Sequence, residues 1–122
     1  VSDQISAPTF TKDLANVCWD IISLKNSNES TKILHWSDAG VASWFDLAEA
    51  TGEIGVELGI LKRRAKVIPI KTKQFPSPAK RPRYSLLDTK ETTKLLGRMP
   101  NHWRYNLKKL LIEYKKLELL KS

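Results

Sequence analysis

Between Phe75 and Pro82 the chain carries Pro76, Pro78 and Pro82, and this block constrains the fold more than any other stretch. Each proline fixes φ near about −65°, lacks an N–H, and biases the preceding residue away from helix. The segment must be extended and fairly stiff. No helix can run through it, so helical patterns are confined to either side. Thr11 is placed to cap a helix in which Leu14, Val17, Cys18, Ile21 and Ile22 share one face at three- and four-residue steps. The polar stretch from Asn26 to Ser30 ends it. Ser43-Trp44-Phe45-Asp46 has capping-box spacing, and the helix it opens is expected to run toward Leu61. That helix would bury Trp44, Leu47, Ile54, Val56 and Leu58, and Gly52, Gly55 and Gly59 would each weaken it by about 1 kcal/mol against alanine.

Asp88 with Glu91 repeats the capping spacing and starts a short helix that Gly97 ends. Pro100-Asn101 opens a last helix whose apolar stripe is Trp103, Leu107, Leu110, Leu111, Tyr114 and Leu117. Lys32 to Trp36 and Val67 to Ile70 read as short strands, the second held to a sheet edge by Pro69. The first ten residues read as a loop. The expected fold class is α+β, mainly helical, with two or three short strands.

A chain of 122 residues suits one domain, here expected to be 1–122. With 41% apolar and 28% charged residues, the composition excludes disorder, and no apolar run approaches the roughly 20 residues of a membrane span. The opening Val1-Ser2-Asp3-Gln4 is polar and acidic where a signal peptide is basic and apolar, and it lacks an initiator methionine. We expect a chain processed or excised from something longer. Cys18, the single cysteine, lies between Val17 and Trp19 and is expected to be a buried thiol in a reducing, cytoplasmic compartment. One cysteine and two distant histidines offer no metal-ligand spacing, so no metal site is expected.

The net charge of +8 is concentrated. Lys62, Arg63, Arg64, Lys66, Lys71, Lys73, Lys80, Arg81 and Arg83 follow one another without an acid between them. Such a block attracts phosphate, or it is a solvated face serving solubility. A dinucleotide site needs a strand, a glycine turn and a helix N-terminus, which the spacing of Gly52, Gly55 and Gly59 does not supply. Tyr105 and Lys109 stand four apart on the last helix, yet no partner serine or cofactor pocket accompanies them, so no catalytic residue is assigned. His35 reads as a hydrogen-bonded structural residue and His102 as an exposed one at a helix start. Two segments carry usable chemistry. Asp3-Gln4 with Pro8-Thr9 offers carboxylate, amide and hydroxyl groups on one loop. Lys80-Arg81-Pro82-Arg83-Tyr84-Ser85 offers guanidinium groups suited to a diphosphate on a proline-stiffened strand.

These residues also resemble a known family. Asp3-Gln4-Ile5-Ser6-Ala7-Pro8-Thr9, Leu14-Ala15, His35 and Ser43-Trp44-Phe45-Asp46-Leu47-Ala48 look like the carboxy-terminal half of dTDP-4-dehydrorhamnose reductases. Pro69-Ile70, Phe75-Pro76-Ser77-Pro78-Ala79, Arg81-Pro82, Ser85, Leu87-Asp88 and Trp103 continue it in order. The resemblance implies a small substrate-binding subdomain of an extended short-chain dehydrogenase/reductase, without its amino-terminal Rossmann domain. The complete enzyme would use NADPH to reduce a dTDP-4-keto-6-deoxy-L-hexose to dTDP-L-rhamnose, with its Tyr-x-x-x-Lys upstream of this chain. This part would bind no cofactor, would be inactive alone, and would help hold the sugar nucleotide.

The substrate-side positions carried over are Asp3, Gln4, Pro8, Thr9, Arg81 and Ser85, with Arg83 added on charge. Ser6, Leu34, Phe75 and Tyr84 depart from the family's usual glycine, tyrosine, tyrosine and asparagine, changes that can shift preference among related sugar nucleotides. Expected partners are a dTDP-sugar, the Rossmann domain, and a second copy through exposed apolar surface, but not a membrane. A non-catalytic interaction module, like the regulatory subunit of methionine adenosyltransferase, is the alternative. A basic nucleic-acid binder ranks third.

Overall fold

The computed structural model describes residues 1–24 and 33–120. Within them run strand β1 (Ile5–Ser6), helix α1 (Thr11–Ser23), strand β2 (Ala42–Ser43), helix α2 (Trp44–Glu57), a 3-10 turn (Thr72–Gln74), strand β3 (Tyr84–Ser85), helix α3 (Lys90–Leu96) and helix α4 (Trp103–Leu119). The chain is mainly helical with one small sheet, in agreement with the expected class. The sheet order is β2-β1-β3. β1 pairs antiparallel with β2, setting Ile5 opposite Ser43, and parallel with β3, setting Ile5 opposite Tyr84.

Only β3 falls where a strand was expected, at the end of the Lys80-to-Ser85 segment; β1 and β2 do not. Residues 33–36 and 67–70 form none, and Lys32 and the loop from Asn26 to Ser30 lie outside the described residues. A strand exists only through its partner, and the partner here is the opening segment that reads as a loop. Ile70 still docks on it: Ser2 N donates to Ile70 O at 2.9 Å. His35 is exposed, and its carbonyl accepts the Thr92 hydroxyl at 2.6 Å.

The capping box opens α2 as its spacing predicts. Ser43 Oγ accepts from Asp46 N at 3.1 Å, while Asp46 Oδ2 accepts from Ser43 N at 2.8 Å and Ser43 Oγ at 2.7 Å. Ser43→Ala is expected to cost about 1 kcal/mol, read as a lowered urea midpoint without a change in slope. The helix stops at Glu57, short of Leu61. Gly59 takes φ +67°, and Ile60 N and Leu61 N both return to Gly55 O. A Cβ on Gly55 would meet the Leu61 side chain at 2.9 Å, so this glycine lets the chain fold back over the helix.

Thr11 is the first helical residue of α1, with Phe10 as N-cap, so the expected hydroxyl cap does not form. Instead Phe10 N donates to Asp38 Oδ2 at 3.2 Å. Of the α1 stripe, Val17 is buried and Ile21 half-buried, while Leu14, Cys18 and Ile22 are exposed. Cys18 is therefore not the buried thiol expected. The stripe is wider than the surface that the described residues lay against it. Thr89 holds the N-cap position of α3 without a side-chain bond, Asp88 Oδ1 accepts from Lys90 N at 3.0 Å, and Gly97 ends the helix at φ +64°. His102 caps α4, its ring accepting from Arg104 N at 3.2 Å.

The core sits between α2 and α4, where Ala42, Ala50 and Trp103 are buried against Leu47 and Leu107. Glu53 with Arg104 and Glu57 with Lys108 fasten the exposed edge of this pair. Exposed ion pairs of this kind add little stability.

Candidate functional site

The sheet brings the opening segment, the start of α2 and the proline-rich segment to one place. Two adjoining clefts form there, of about 380 Å³ and 140 Å³, and both are lined by Gln4, Trp44 and Arg81. The larger adds Val1, Ile70, Phe75 and Ser77, and the smaller adds Ser6, Pro82 and Ser85. Gln4, Arg81 and Ser85, far apart in sequence and named above as candidates, thus line one cleft together. β1–β3 pairing is the cause: Ile5 N donates to Arg83 O at 2.8 Å, which lays the arginine segment beside the opening loop.

The other expected residues have different places. Asp3 Oδ1 accepts from Thr72 N at 2.8 Å and from Thr72 Oγ1 at 2.7 Å, while Gln4 Nε2 donates to that hydroxyl at 3.2 Å. Asp3 therefore ties the 3-10 turn to the opening segment. Arg83 contributes its carbonyl to the sheet and lines neither cleft. Pro8 and Thr9 lie on a separate cavity under α4, with Thr9 Oγ1 donating to Ala7 O at 3.0 Å.

Trp44 is the cleft residue that sequence reasoning misplaced. It was expected in the core, yet it is 58% exposed and shared by both clefts. As the first residue after the cap it precedes the apolar stripe, and that position was the available signal. The cleft accordingly offers a guanidinium, an indole, an amide and a hydroxyl. Arg81 has no ion pair among the described residues, whereas Arg64 is 3.3 Å from Glu53 and 3.7 Å from Glu49. Part of the basic block is thus neutralised within the fold.

The Thr72 hydroxyl, more than any other group, holds the Asp3 carboxyl below its ordinary value of 3.8, and the Thr72 amide adds to this. Asp46 is likewise lowered by Ser43, and Glu53 by Arg104. A carboxyl lowered on folding adds stability above its unfolded value, and that stability is lost as pH falls through the lower folded value. These three groups therefore weaken the fold on acidification below the ordinary values of 3.8 for Asp and 4.5 for Glu. Thr72→Val is expected to move the Asp3 titration back up toward 3.8, followed by carboxyl carbon NMR shifts. An unmoved midpoint would show that the hydroxyl does not hold this carboxylate.

Among the described residues no glycine turn joins a strand to a helix. Ser43 caps α2 directly after β2, and Gly52 and Gly55 lie inside that helix. These residues do not fit the pyrophosphate of a dinucleotide. Helices around a short sheet with an open cationic cleft make this a fold of the α+β class.

The model of the RmlD substrate binding domain matches residues 1–116, and the chain belongs to that family. It is 35% identical to the spore coat polysaccharide biosynthesis protein SpsK of Bacillus subtilis, over 93% of this chain and 36% of that protein. It is 33% identical to a dTDP-4-dehydrorhamnose reductase of Aggregatibacter actinomycetemcomitans, over 90% of this chain and 38% of that enzyme. A solved dTDP-4-dehydrorhamnose reductase of Clostridium acetobutylicum superposes with TM-score 0.73 at 33% identity, covering 100% of this chain and 38% of that one. The Bacillus anthracis reductase, solved in complex with NADP, gives TM-score 0.75 at 27% identity, over 92% of this chain and 36% of that one. The chain thus spans between 36% and 38% of the length of these four relatives. No helix among the described residues is long and apolar enough to cross a membrane.

Proposed function

We propose that residues 1–122 form one sugar-nucleotide-binding unit, the substrate-side part of an NADPH-dependent dTDP-4-dehydrorhamnose reductase. The observation that carries this reading is the gathering of Gln4, Trp44, Arg81 and Ser85 around one open cleft. Arg81 grips the diphosphate through paired N–H groups. Trp44 offers an aromatic face to the base or the sugar, and Gln4 and Ser85 supply hydrogen bonds to its polar edges. Asp3 acts through Thr72 to hold the opening segment in place, and Thr9 shapes the turn after Pro8. Arg83 adds positive potential along the approach.

Reduction and NADPH binding belong in this reading to a companion Rossmann domain, and the chain alone turns over no substrate. Exposed Leu14, Trp19 and Ile22 on α1 favour a partner surface, either that domain or a second copy. The interaction-module and nucleic-acid readings have less support, the latter because Arg64 is already paired. Titration of the chain with dTDP, dTMP and thymidine tests the proposal. Affinity is expected to fall in that order as phosphate charge is removed. A folded chain that ignores dTDP would refute it.

A further inference from the structure

A second cavity, of about 340 Å³, lies under α4 and shares no residue with the Arg81 clefts. Its wall is largely apolar, with Leu47, Trp103, Leu107 and Leu110 among the lining side chains. Four polar side chains interrupt it: Thr9 and Thr51, whose hydroxyls donate to Ala7 O at 3.0 Å and Leu47 O at 2.7 Å, and the buried Asp38, 4% exposed, and Asn106, 1% exposed. The Asn106 amide nitrogen donates to Asp38 Oδ2 at 2.8 Å and to Asp13 Oδ2 at 3.0 Å, which fixes the amide's orientation. Phe10 N takes up the same Asp38 oxygen at 3.2 Å. Asp38 Oδ1 and Asn106 Oδ1 are left buried with no hydrogen-bond partner among the described residues. An unpaired buried acceptor is costly, and here two belong to side chains that line one cavity, each oxygen covered by its surroundings.

The charge balance points the same way. Asp13 and Asp38 face this network from two segments, and the nearby cation is Lys109, whose Nζ is 3.6 Å from Asp13 Oδ1. Two carboxylates against one ammonium leave the site short of one positive charge. Burial, the dominant influence, raises the Asp38 carboxyl above its ordinary value, and Asp13 adds to it. We propose that this cavity binds a small organic monocation, a primary ammonium on an apolar body. The ammonium would donate to Asp38 and Asn106, and the body would lie against the leucines and Trp103. An ammonium brings three donors and no acceptor, matching two unsatisfied oxygens and the missing charge together. A hydroxyl brings the donor without the charge, and an anion meets repulsion. A cavity of this size lies within the range of small-molecule sites.

The test uses the whole chain and three probes of one shape: 2-phenylethylammonium, 2-phenylethanol and phenylacetate. Amide NMR shifts report where each binds and how tightly. The ammonium is expected to bind saturably at residues 38 and 106–110, about tenfold tighter than the alcohol, with phenylacetate not binding. Asp38→Asn should bring the ammonium down to the affinity of the alcohol. Leu110→Trp, at a side chain 44% exposed, should block both probes while leaving the carboxylate untouched and the fold intact. Equal affinity for ammonium and alcohol, shifts mapping elsewhere, or undiminished binding to Leu110→Trp would each overturn the proposal.

Discussion

Trp103→Ala is expected to lower the unfolding free energy by about 3–5 kcal/mol, the usual result of emptying a buried aromatic site. The side chain is 7% exposed, packs with Ala42 and Ala50, and is flanked by Leu47 and Leu107. Its Nε1 also donates to Val41 O at 3.2 Å, joining α4 to the segment that enters β2. The backbone adds a second tie here, because Trp103 N donates to Ala39 O at 2.9 Å. Alanine can keep that backbone bond, so the loss isolates the indole. Domains hold only about 5–15 kcal/mol in total, and the variant should populate unfolded chain at modest urea. Equilibrium denaturation followed by circular dichroism measures it. A loss under about 1 kcal/mol would mean that the α2–α4 seam is not the main core.

Arg81→Ala should weaken dTDP binding about 10- to 100-fold, the range for hydrogen bonds to a charged group. Arg81 lines both clefts and has no ion pair among the described residues, so its charge is available to a ligand. Arg81→Lys should fall between the two, because lysine keeps the charge and loses the paired geometry. Calorimetry at low salt measures all three proteins, and rising salt should narrow the gap. Equal affinity in Arg81→Ala and the parent chain would remove arginine from the proposed role while leaving the fold assignment unaffected.

Helices with local signals were legible in the sequence. Ser43 and Asp46 announce α2 because a capping box is written within four residues, and Gly97 marks the end of α3 for the same reason. Of the sheet only the segment ending in β3 was legible, through its prolines, since two-residue strands have no periodicity to read. Ile5–Ser6 becomes a strand only because Ala42–Ser43 and Tyr84–Ser85 arrive on either side of it. Trp44 and Cys18 were misplaced by one error, the assumption that an apolar residue in a helix points to the core. Arg81 and Gln4 could be named from their chemistry and the family resemblance. That they share a cleft, while Pro8 and Thr9 line another, depends on β1–β3 pairing, and no spacing in the sequence encodes it.

That sheet order has a consequence for how the chain is made. β1, the central strand, emerges from the ribosome before both of its neighbours, and α1 follows it. β2 can pair with it only after α1 and the residues up to Ser43 have been synthesised, and β3 only once Ser85 is clear of the exit tunnel. Each closure carries the entropy of the chain it spans, so the sheet completes late even though the helices form locally and early. Pairing of the first strand with the third is therefore expected to set the pace of folding. The arginine cleft, which that pairing assembles, exists only from that moment on.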